Sequence, residues 1–447
     1  MRQGSIIIFL FFTISSIQAQ ILLSKEEALS LTLENNFGIQ MTRNSSAIAK
    51  NNSALLNTGY LPTLSATGGA NYNTSNSEIG FPGQQLEDGS PRPNLNLDNQ
   101  ETQRFNGGLN FNYTLFDGLG RKYTYKRLKE QYALSELQLR ETIEQTILQL
   151  FSVYFNVARL KETVLNLEQT LAVSKQRQKR AESAFNFGQT NKLAVLNAQV
   201  DVTNDSISLL QIKQELGNAK RDLNLIMNQP IETELDVETA LAFVPEIQIE
   251  QWLETATENN VRLLQQQRNQ QINAYDLKVS QSGYLPTLGL VGSYGWNLSQ
   301  NPASAFFPGT TNTTLSLGIG ASLIWNLFDG GRTLTQVKNA KIAVENQNLQ
   351  EQETQLTFER DLANAQQNYE NAVKIYLIQQ KQVETGTYNF ERSQAQYALG
   401  SITAIEFRQA QINLRNAQIQ RAAAKYQAKL AELTLIQLSG QLLNIEI

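Results

Sequence analysis

The chain has 447 residues, 37 Lys and Arg against 41 Asp and Glu, a net charge of −4, and no histidine or cysteine. The two missing residue types exclude disulfides, thiolate nucleophiles, Cys/His zinc sites, the Ser-His-Asp triad and histidine acid–base chemistry. The mild acidity, without a basic patch, argues against nucleic acid as a partner, and the negative mean hydropathy argues against a bundle of membrane-spanning helices.

Taken in chain order, the first feature is a targeting segment. Arg2, the apolar run from Ile6 to Ile14 and the small residues Ser15, Ser16 and Ala19 predict a secretory signal peptide over residues 1–20. The run is shorter than the ~20 residues that a spanning helix needs. With no cysteine there is no site for an N-terminal lipid anchor.

Beyond that segment the sequence is written twice. Gly59-Tyr60-Leu61-Pro62-Thr63-Leu64 returns as Gly283-Tyr284-Leu285-Pro286-Thr287-Leu288, and Leu115-Phe116-Asp117-Gly118 returns as Leu327-Phe328-Asp329-Gly330. Phe185-Asn186-Phe187-Gly188 matches Tyr397-Ala398-Leu399-Gly400, and Glu34-Asn35-Asn36 matches Glu258-Asn259-Asn260. The copies keep one spacing after the second motif and a longer one before it, so they differ by a single insertion between Leu64 and Leu115. This predicts a first repeat over residues 21–230, a linking segment at 231–248 that holds Pro245, and a second repeat over 249–447. Each repeat reads as helix, strand, strand, very long helix, turn, helix. The first helix is expected to run from about Ser24 to Thr58 and to stop at Gly59 and Pro62.

The strands, expected at 62–75, 104–116, 285–298 and 313–327, alternate with a period of two. Leu64, Ala66, Ala70 and Tyr72 share one face against Ser65, Thr67 and Asn71. Leu315, Leu317, Ile319 and Leu323 share one against Ser316, Gly318 and Ser322. Each strand thus has one apolar face and one small, polar face, read as lacking Lys, Arg and Asp. At about ten to twelve residues each strand has the length of a tilted transmembrane strand. Tyr72, Phe105, Tyr113, Trp296 and Trp325 lie toward strand ends, as in an interfacial girdle at outer-membrane lipid. Four spanning strands cannot close, and an open edge in lipid leaves backbone groups unpaired. The chain must therefore share a barrel: two copies give eight strands and three give twelve. The connections from Asn73 to Gln103 and from Ser299 to Asn312 read as irregular surface loops.

From Arg121 to Phe185 there is neither Pro nor Gly, and from Arg332 to Leu399 only Gly386. About 65 helical residues make a rod on the order of 100 Å. Ile143, Ile147, Leu150, Tyr154 and Val157 are spaced as a coiled-coil stripe. Asp117 and Asp329 stand where helix N-caps would. Gly188 and Gly400 mark turns into second helices, so each repeat ends in an antiparallel hairpin.

These features together resemble the TolC-like outer-membrane efflux protein family, over essentially the whole mature chain. The Gly-Tyr-Leu-Pro junctions, Leu-Phe-Asp-Gly strand exits and doubled architecture carry the resemblance. It implies a homotrimer with a twelve-stranded transmembrane β-barrel, four strands per chain, continuing into a long periplasmic α-helical barrel. It also implies a periplasmic adaptor protein, an inner-membrane transporter that supplies energy, and a passive export duct for drugs, small toxins or secreted polypeptides. No cofactor is implied. At the hairpin tips it points to Glu406 as an acidic ring, to Gln409 where a second acid is usual, and to Tyr397 as a latching aromatic. Ala194 and Ile402 stand where latch partners are typical, leaving Phe185, Tyr397 and Phe407, or Asn191 and Asn197, to hold the tip. The other reading is a barrel-anchored coiled-coil scaffold of the envelope without a conducting lumen. Asp and Glu are scattered on helix faces and at caps, and no carboxylate pair stands out for an enzyme.

Overall fold

The computed structural model describes residues 21–303 and 308–445, so the predicted signal peptide lies outside the described residues. In chain order the elements are β1 (Ile21–Leu23), α1 (Lys25–Asn35), α2 (Phe37–Asn52), β2 (Thr63–Ile79), β3 (Leu95–Asp117), α3 (Gly120–Asn186), α4 (Lys192–Ile226), β4 (Leu235–Val237), α5 (Glu246–Glu254), α6 (Ala256–Asn259), α7 (Val261–Ser282), β5 (Thr287–Asn301), β6 (Thr310–Ile324), α8 (Arg332–Ala398) and α9 (Ala404–Leu438). The chain is mixed α and β and mostly helical. It divides into two compact units, one of Met1–Ser46, Glu136–Gln266 and Glu351–Ile447, the other of Ala47–Ser135 and Gln267–Gln350. Among the described residues no helix is long and apolar enough to cross a membrane.

The second unit carries an antiparallel sheet in the order β2-β3-β5-β6. Its register brings the apolar sides of all four strands onto one face. Ala66, Leu109, Tyr294 and Leu317 form one row, and Ala70, Phe105 and Leu298 belong to another. The opposite face carries rows such as Ser65, Asn110, Ser293 and Gly318. Leu317 is 73% and Ile319 84% exposed, so nothing among the described residues covers the apolar face there. Among the described residues β2 and β6 each have one edge without a strand partner.

Three details differ from the sequence reading. The β2–β3 ladder continues to Ile79 and Leu95, so only 80–94 remains as connection where a longer irregular loop is expected. From Asn73 to Glu78 and from Asp98 to Gln103 every residue is polar, but the backbone ladder does not need an alternation. Asn76 Oδ1 accepts the Asn99 amide at 2.7 Å beside the bulge after Ser75. The register also places Arg104, the first residue of the expected strand 104–116, on the polar face opposite Asn71 and Ser299, so that face is not free of cations. Finally, β6 ends at Ile324, and Trp325 lies beyond it with its indole N–H on the Tyr284 carbonyl at 3.1 Å.

The strand exits are capped as their aspartates suggest. Asp117 accepts the Arg121 amide at 2.7 Å, and Asp329 accepts the Gly331 and Thr333 amides at 3.1 and 3.0 Å. Arg121 also reaches the Gly59 carbonyl at 2.9 Å, and Arg127 pairs with Asp276 at 2.7 Å.

In the first unit, the predicted α3 stripe is buried from Ile147 through Leu150 and Tyr154 to Val157. Phe155 stacks on Phe151 and on Tyr426 of α9 with centroids 5.6 and 5.7 Å apart. Beside this core β1 pairs in parallel with β4, a ladder too short to leave a period in the sequence. The Tyr154 hydroxyl donates to the Leu23 carbonyl at 2.8 Å and accepts the Glu238 amide at 3.1 Å, which ties that ladder to α3.

The first helix, expected to run unbroken from about Ser24 to Thr58, breaks at Asn36. That residue is extended, and its Oδ1 accepts the amides of Gly38 and Ile39, restarting the chain as α2. Its side-chain amide donates to the Ile226 carbonyl at the end of α4, at 3.0 Å. Asn260 makes the same set of bonds, to Arg262, Leu263 and the Leu438 carbonyl of α9. The doubled Glu-Asn-Asn signature therefore corresponds to a helix break whose asparagine also satisfies a terminal carbonyl of a hairpin's return helix.

Candidate functional site

The chemistry of this chain concentrates where its hairpins turn, in the first unit. After α3, the Gly188 amide donates to Phe185 at 2.9 Å and the Gln189 amide to Ala184 at 2.8 Å. After α8, the Gly400 amide donates to Tyr397 at 3.2 Å and the Ser401 amide to Gln396 at 2.9 Å. These bonds close each helix through a glycine in the left-handed region, at φ 74° and 75°. An L-residue there costs about 1 kcal/mol or more. Gly400→Ala should accordingly loosen the second turn locally, read as faster proteolytic nicking near residue 400 with little change in melting temperature.

The return helices start with side-chain caps. Asn191 Oδ1 accepts the Ala194 amide at 3.1 Å. Thr403 Oγ1 accepts the Glu406 amide at 3.2 Å, while the Glu406 carboxylate accepts the Thr403 amide and hydroxyl, each at 2.8 Å. This is a capping box, in which each residue's side chain accepts the other's otherwise orphaned amide. It holds the Glu406 carboxyl below the usual carboxylate range, first through the Thr403 backbone N–H and then through its hydroxyl. Glu406 is exposed and ionised at neutral pH, but it is turned back onto its own helix start.

Tyr397 stacks on Phe407 with centroids 4.9 Å apart, and Phe390 stacks on the same ring at 5.6 Å. Phe407 is buried beneath them. Phe185 instead lies under Lys192, whose ammonium is 5.4 Å from its ring centre. Gln409 donates to Asn413 at 2.8 Å, one turn along α9. A cavity of ≈ 810 Å³ brings together Asn191, Asn197, Tyr397, Gly400 and Gln409, and Ala194 and Ile402 line it too. Gly188 and Glu406 are not part of its lining.

Charged residues that the sequence reading passed over hold the two hairpins to each other. Arg180 of α3 lies over the Tyr397 ring, 4.9 Å from its centre, and donates to the Ala398 carbonyl at 2.9 Å. A few turns deeper, Asp205 of α4 is 1% exposed. Its carboxylate accepts both Arg408 terminal nitrogens, at 2.7 and 2.8 Å, and the Ser174 hydroxyl at 2.6 Å. Burial alone would push the Asp205 carboxyl up, yet these bonds and the nearby Arg415 hold it below its ordinary value. Arg177 pairs with Asp201 at 2.8 Å. Gln411 bridges from Arg408 to the Thr170 carbonyl at 3.0 and 2.8 Å. α3, α4 and α9 thus meet in a buried charged network, legible only in Asp201 and Asp205 one turn apart and Arg408 and Arg415 two turns apart.

In the other unit, the register sorts the five girdle candidates into two bands. Phe105 sits in the row of Leu298, Trp296 in the row of Gly107, and Tyr72 in the row of Gln103. Tyr113 pairs with Leu290 near the strand–helix junctions, where Trp325 also lies. Eight residues separate Phe105 from Tyr113, roughly 27 Å along a strand. Among the described residues no group of Asp and Glu is arranged to hold a metal ion.

The family described as outer membrane efflux protein matches residues 28–229 and 252–441. The outer membrane protein TolC of Vibrio cholerae is 21% identical over 398 residues, covering 89% of this chain and 84% of that protein. The outer membrane efflux protein BepC of Brucella suis is 19% identical over 335 residues, 75% of this chain and 72% of that one. Among solved structures, the Campylobacter jejuni CmeC outer membrane channel superimposes with a TM-score of 0.74 at 16% identity, over 94% of this chain and 86% of that one.

Proposed function

This chain belongs to the outer membrane efflux protein family, a family of channel proteins of the outer membrane, and from that premise we propose that it is one subunit of a homotrimeric export duct. Three copies of the four-stranded sheet close a twelve-stranded barrel, and the helical hairpins line a periplasmic tube that leads into it. One observation carries this reading: a sheet whose apolar sides align on a single exposed face while both its edges stay unpaired. In lipid that face is satisfied, and the edges are satisfied only by closure with other copies. Exposed apolar residues one heptad apart on α8, Ile342, Leu349 and Leu356, fit packing against neighbouring helices in the same assembly.

In this reading the two repeats, 21–230 and 249–447, are quasi-equivalent, with 231–248 linking them. The matched lengths of α3 and α8, 67 residues each, and of α4 and α9, 35 each, support it, as do the equivalent bonds of Asn36 and Asn260. The two bands of Tyr72, Phe105 and Trp296 and of Tyr113 and Trp325 sit at the two membrane interfaces. The tips, with Gly188, Gly400, Asn191, Asn197, Tyr397 and Gln409, form the periplasmic entrance. There a periplasmic adaptor and an inner-membrane transporter dock, and the transporter drives drugs, small toxins or secreted polypeptides outward.

Three copies of Glu406 make an acidic ring at that entrance. Glu406→Gln removes the charge and keeps an acceptor for the capping box. Planar-bilayer recordings should then show weaker preference for potassium over chloride with the fold intact, and an unchanged preference would take Glu406 out of the entrance. The reading as a whole is tested by electron microscopy of the detergent-purified protein. A threefold particle with a short barrel joined to a hollow helical tube is expected. A particle without a lumen would leave a barrel-anchored envelope scaffold as the better account.

A further inference from the structure

Over the rows in which all four strands pair, from Thr63 to Tyr72 of β2, the polar face of the sheet carries one charged side chain, Arg104. Its row contains Asn71, Ser299 and Asn312, and the next row toward the helices contains Gly69, Asn106, Asn297 and Thr314. Arg104 is exposed, and its guanidinium makes no ion pair or hydrogen bond among the described residues. The nearest carboxylate by register, Glu101, pairs with Thr74 on the other face. An arginine at this place is therefore a cation surrounded only by amides, hydroxyls and glycines, on a face otherwise neutral.

Its position is set by the pleat. A slip of one residue would move Arg104 into the band of Phe105, where a guanidinium meets lipid. Arg104 is eight residues along the ladder from the Thr63 row, roughly 27 Å from the helix end of the sheet. Glycines 69, 108, 295 and 318 on the same face keep side-chain bulk away from the rows between.

We propose that Arg104 makes the outer part of the lumen an anion-favouring section, one that attracts exported solutes bearing a carboxylate, sulfate or phosphate group. The inference rests on the duct reading above, which turns the polar face inward. Three guanidiniums then stand in one ring, each able to take a carboxylate or phosphate in a bidentate fork while neighbouring amides accept and donate alongside. Screening confines the field to about one Debye length, ~8 Å at physiological salt, so the ring acts on solutes at its own level and leaves the rest of the duct indifferent.

The native chain has no cysteine, which permits a local reading of potential. Ser299→Cys lies directly opposite Arg104 in the ladder, and Ser293→Cys lies six residues nearer the helices, opposite Asn110. Each purified assembly is reacted in liposomes with a sulfonate-bearing and an ammonium-bearing methanethiosulfonate, and the rate ratio is taken relative to a free thiol. At Ser299→Cys the ratio should favour the anionic reagent by roughly fivefold, as expected for a few unit charges within 10 Å in a wet lumen. Adding Arg104→Gln should abolish that preference, and Arg104→Lys should retain most of it. The ratio at Ser293→Cys should not respond. A Ser299→Cys ratio indifferent to Arg104→Gln would overturn the assignment while leaving the duct standing. Failure of both cysteines to react from water, in an assembled protein, would overturn the duct reading and this inference with it.

Discussion

Asp205→Ala should lower the stability of the hairpin unit by about 3–5 kcal/mol, the range expected when one partner of a buried ion pair is removed and the other is left behind. The stranded group is Arg408, whose side chain is 12% exposed and whose two terminal nitrogens both end on Asp205. Ser174 loses its acceptor as well, and Arg177 and Arg415 are left with only Asp201 to offset three guanidiniums. Because the bonds run from α9 to α4 and α3, the loss falls on the contact between the hairpins. The expected readouts are a lower melting temperature and, in bilayers, longer or larger openings of the entrance. Replacing both partners, as Asp205→Leu with Arg408→Leu, should recover much of the stability, since one charge of each sign is removed and the excess of arginine over aspartate in the network is no larger than in the parent protein. The same network sets an acid limit. The folded Asp205 carboxyl titrates below its ordinary value of about 3.9. Its contribution is therefore complete above that value and is lost as pH falls through the lower, folded one. Conductance should stay flat from neutral pH down to about 4 and rise only below. An Asp205→Ala protein with unchanged melting and conductance would mean that water enters and solvates Arg408.

That network also marks where sequence reading stops. Asp205 and Arg408 are 203 positions apart. On their own helices Asp201 and Asp205, one turn apart, look like an ordinary solvated face. Only the packing of α9 against α4 turns that face inward. The capping box was legible, since Thr403-x-x-Glu406 is its signature, yet the same glutamate read as a lumenal acid draws attention away from the helix start. The glycine turns were legible because a positive φ leaves few residue choices. The sheet was legible because a period of two survives in any strand with unlike faces, and the register then aligns those faces. The ends of the strands were not, because from Asn73 to Glu78 and from Asp98 to Gln103 the ladder continues through residues that are polar on both sides. Arg104 stands at the start of the expected strand 104–116, and the register assigns it to the polar face. β1 and β4 were missed for the opposite reason, being three residues long and held by Tyr154 and not by pattern. The break at Asn36 was hidden because asparagine inside a helical stretch carries no certain stop signal. Only its tie to the Ile226 carbonyl gives it one.

Two adjacent residues separate the lipid-facing from the water-facing reading of the sheet. Leu317 pairs with Tyr294 on the apolar face, and Ser316 pairs with Gly295 on the polar face. Both lie on β6 within the rows that all four strands share. In the proposed barrel Leu317 meets hydrocarbon, and Leu317→Lys places an ammonium there at a cost of about 2–4 kcal/mol per copy near the midplane. Three copies in one assembly multiply that cost. Leu317→Lys should therefore prevent insertion, and heat-resistant oligomer in outer-membrane fractions should fall to near background. Ser316→Lys adds the same side chain one residue away, where it stands in a wet lumen, so oligomer yield should stay near that of the parent protein. β-propensity does not separate the two variants, since lysine is equally unfavoured at either site. If the sheet were instead one face of a soluble sandwich, Leu317→Lys would still destabilise it, but both variants would be recovered in the soluble fraction. Equal insertion of the two would mean that the apolar face does not meet lipid, and the register argument for a shared barrel would fall with it.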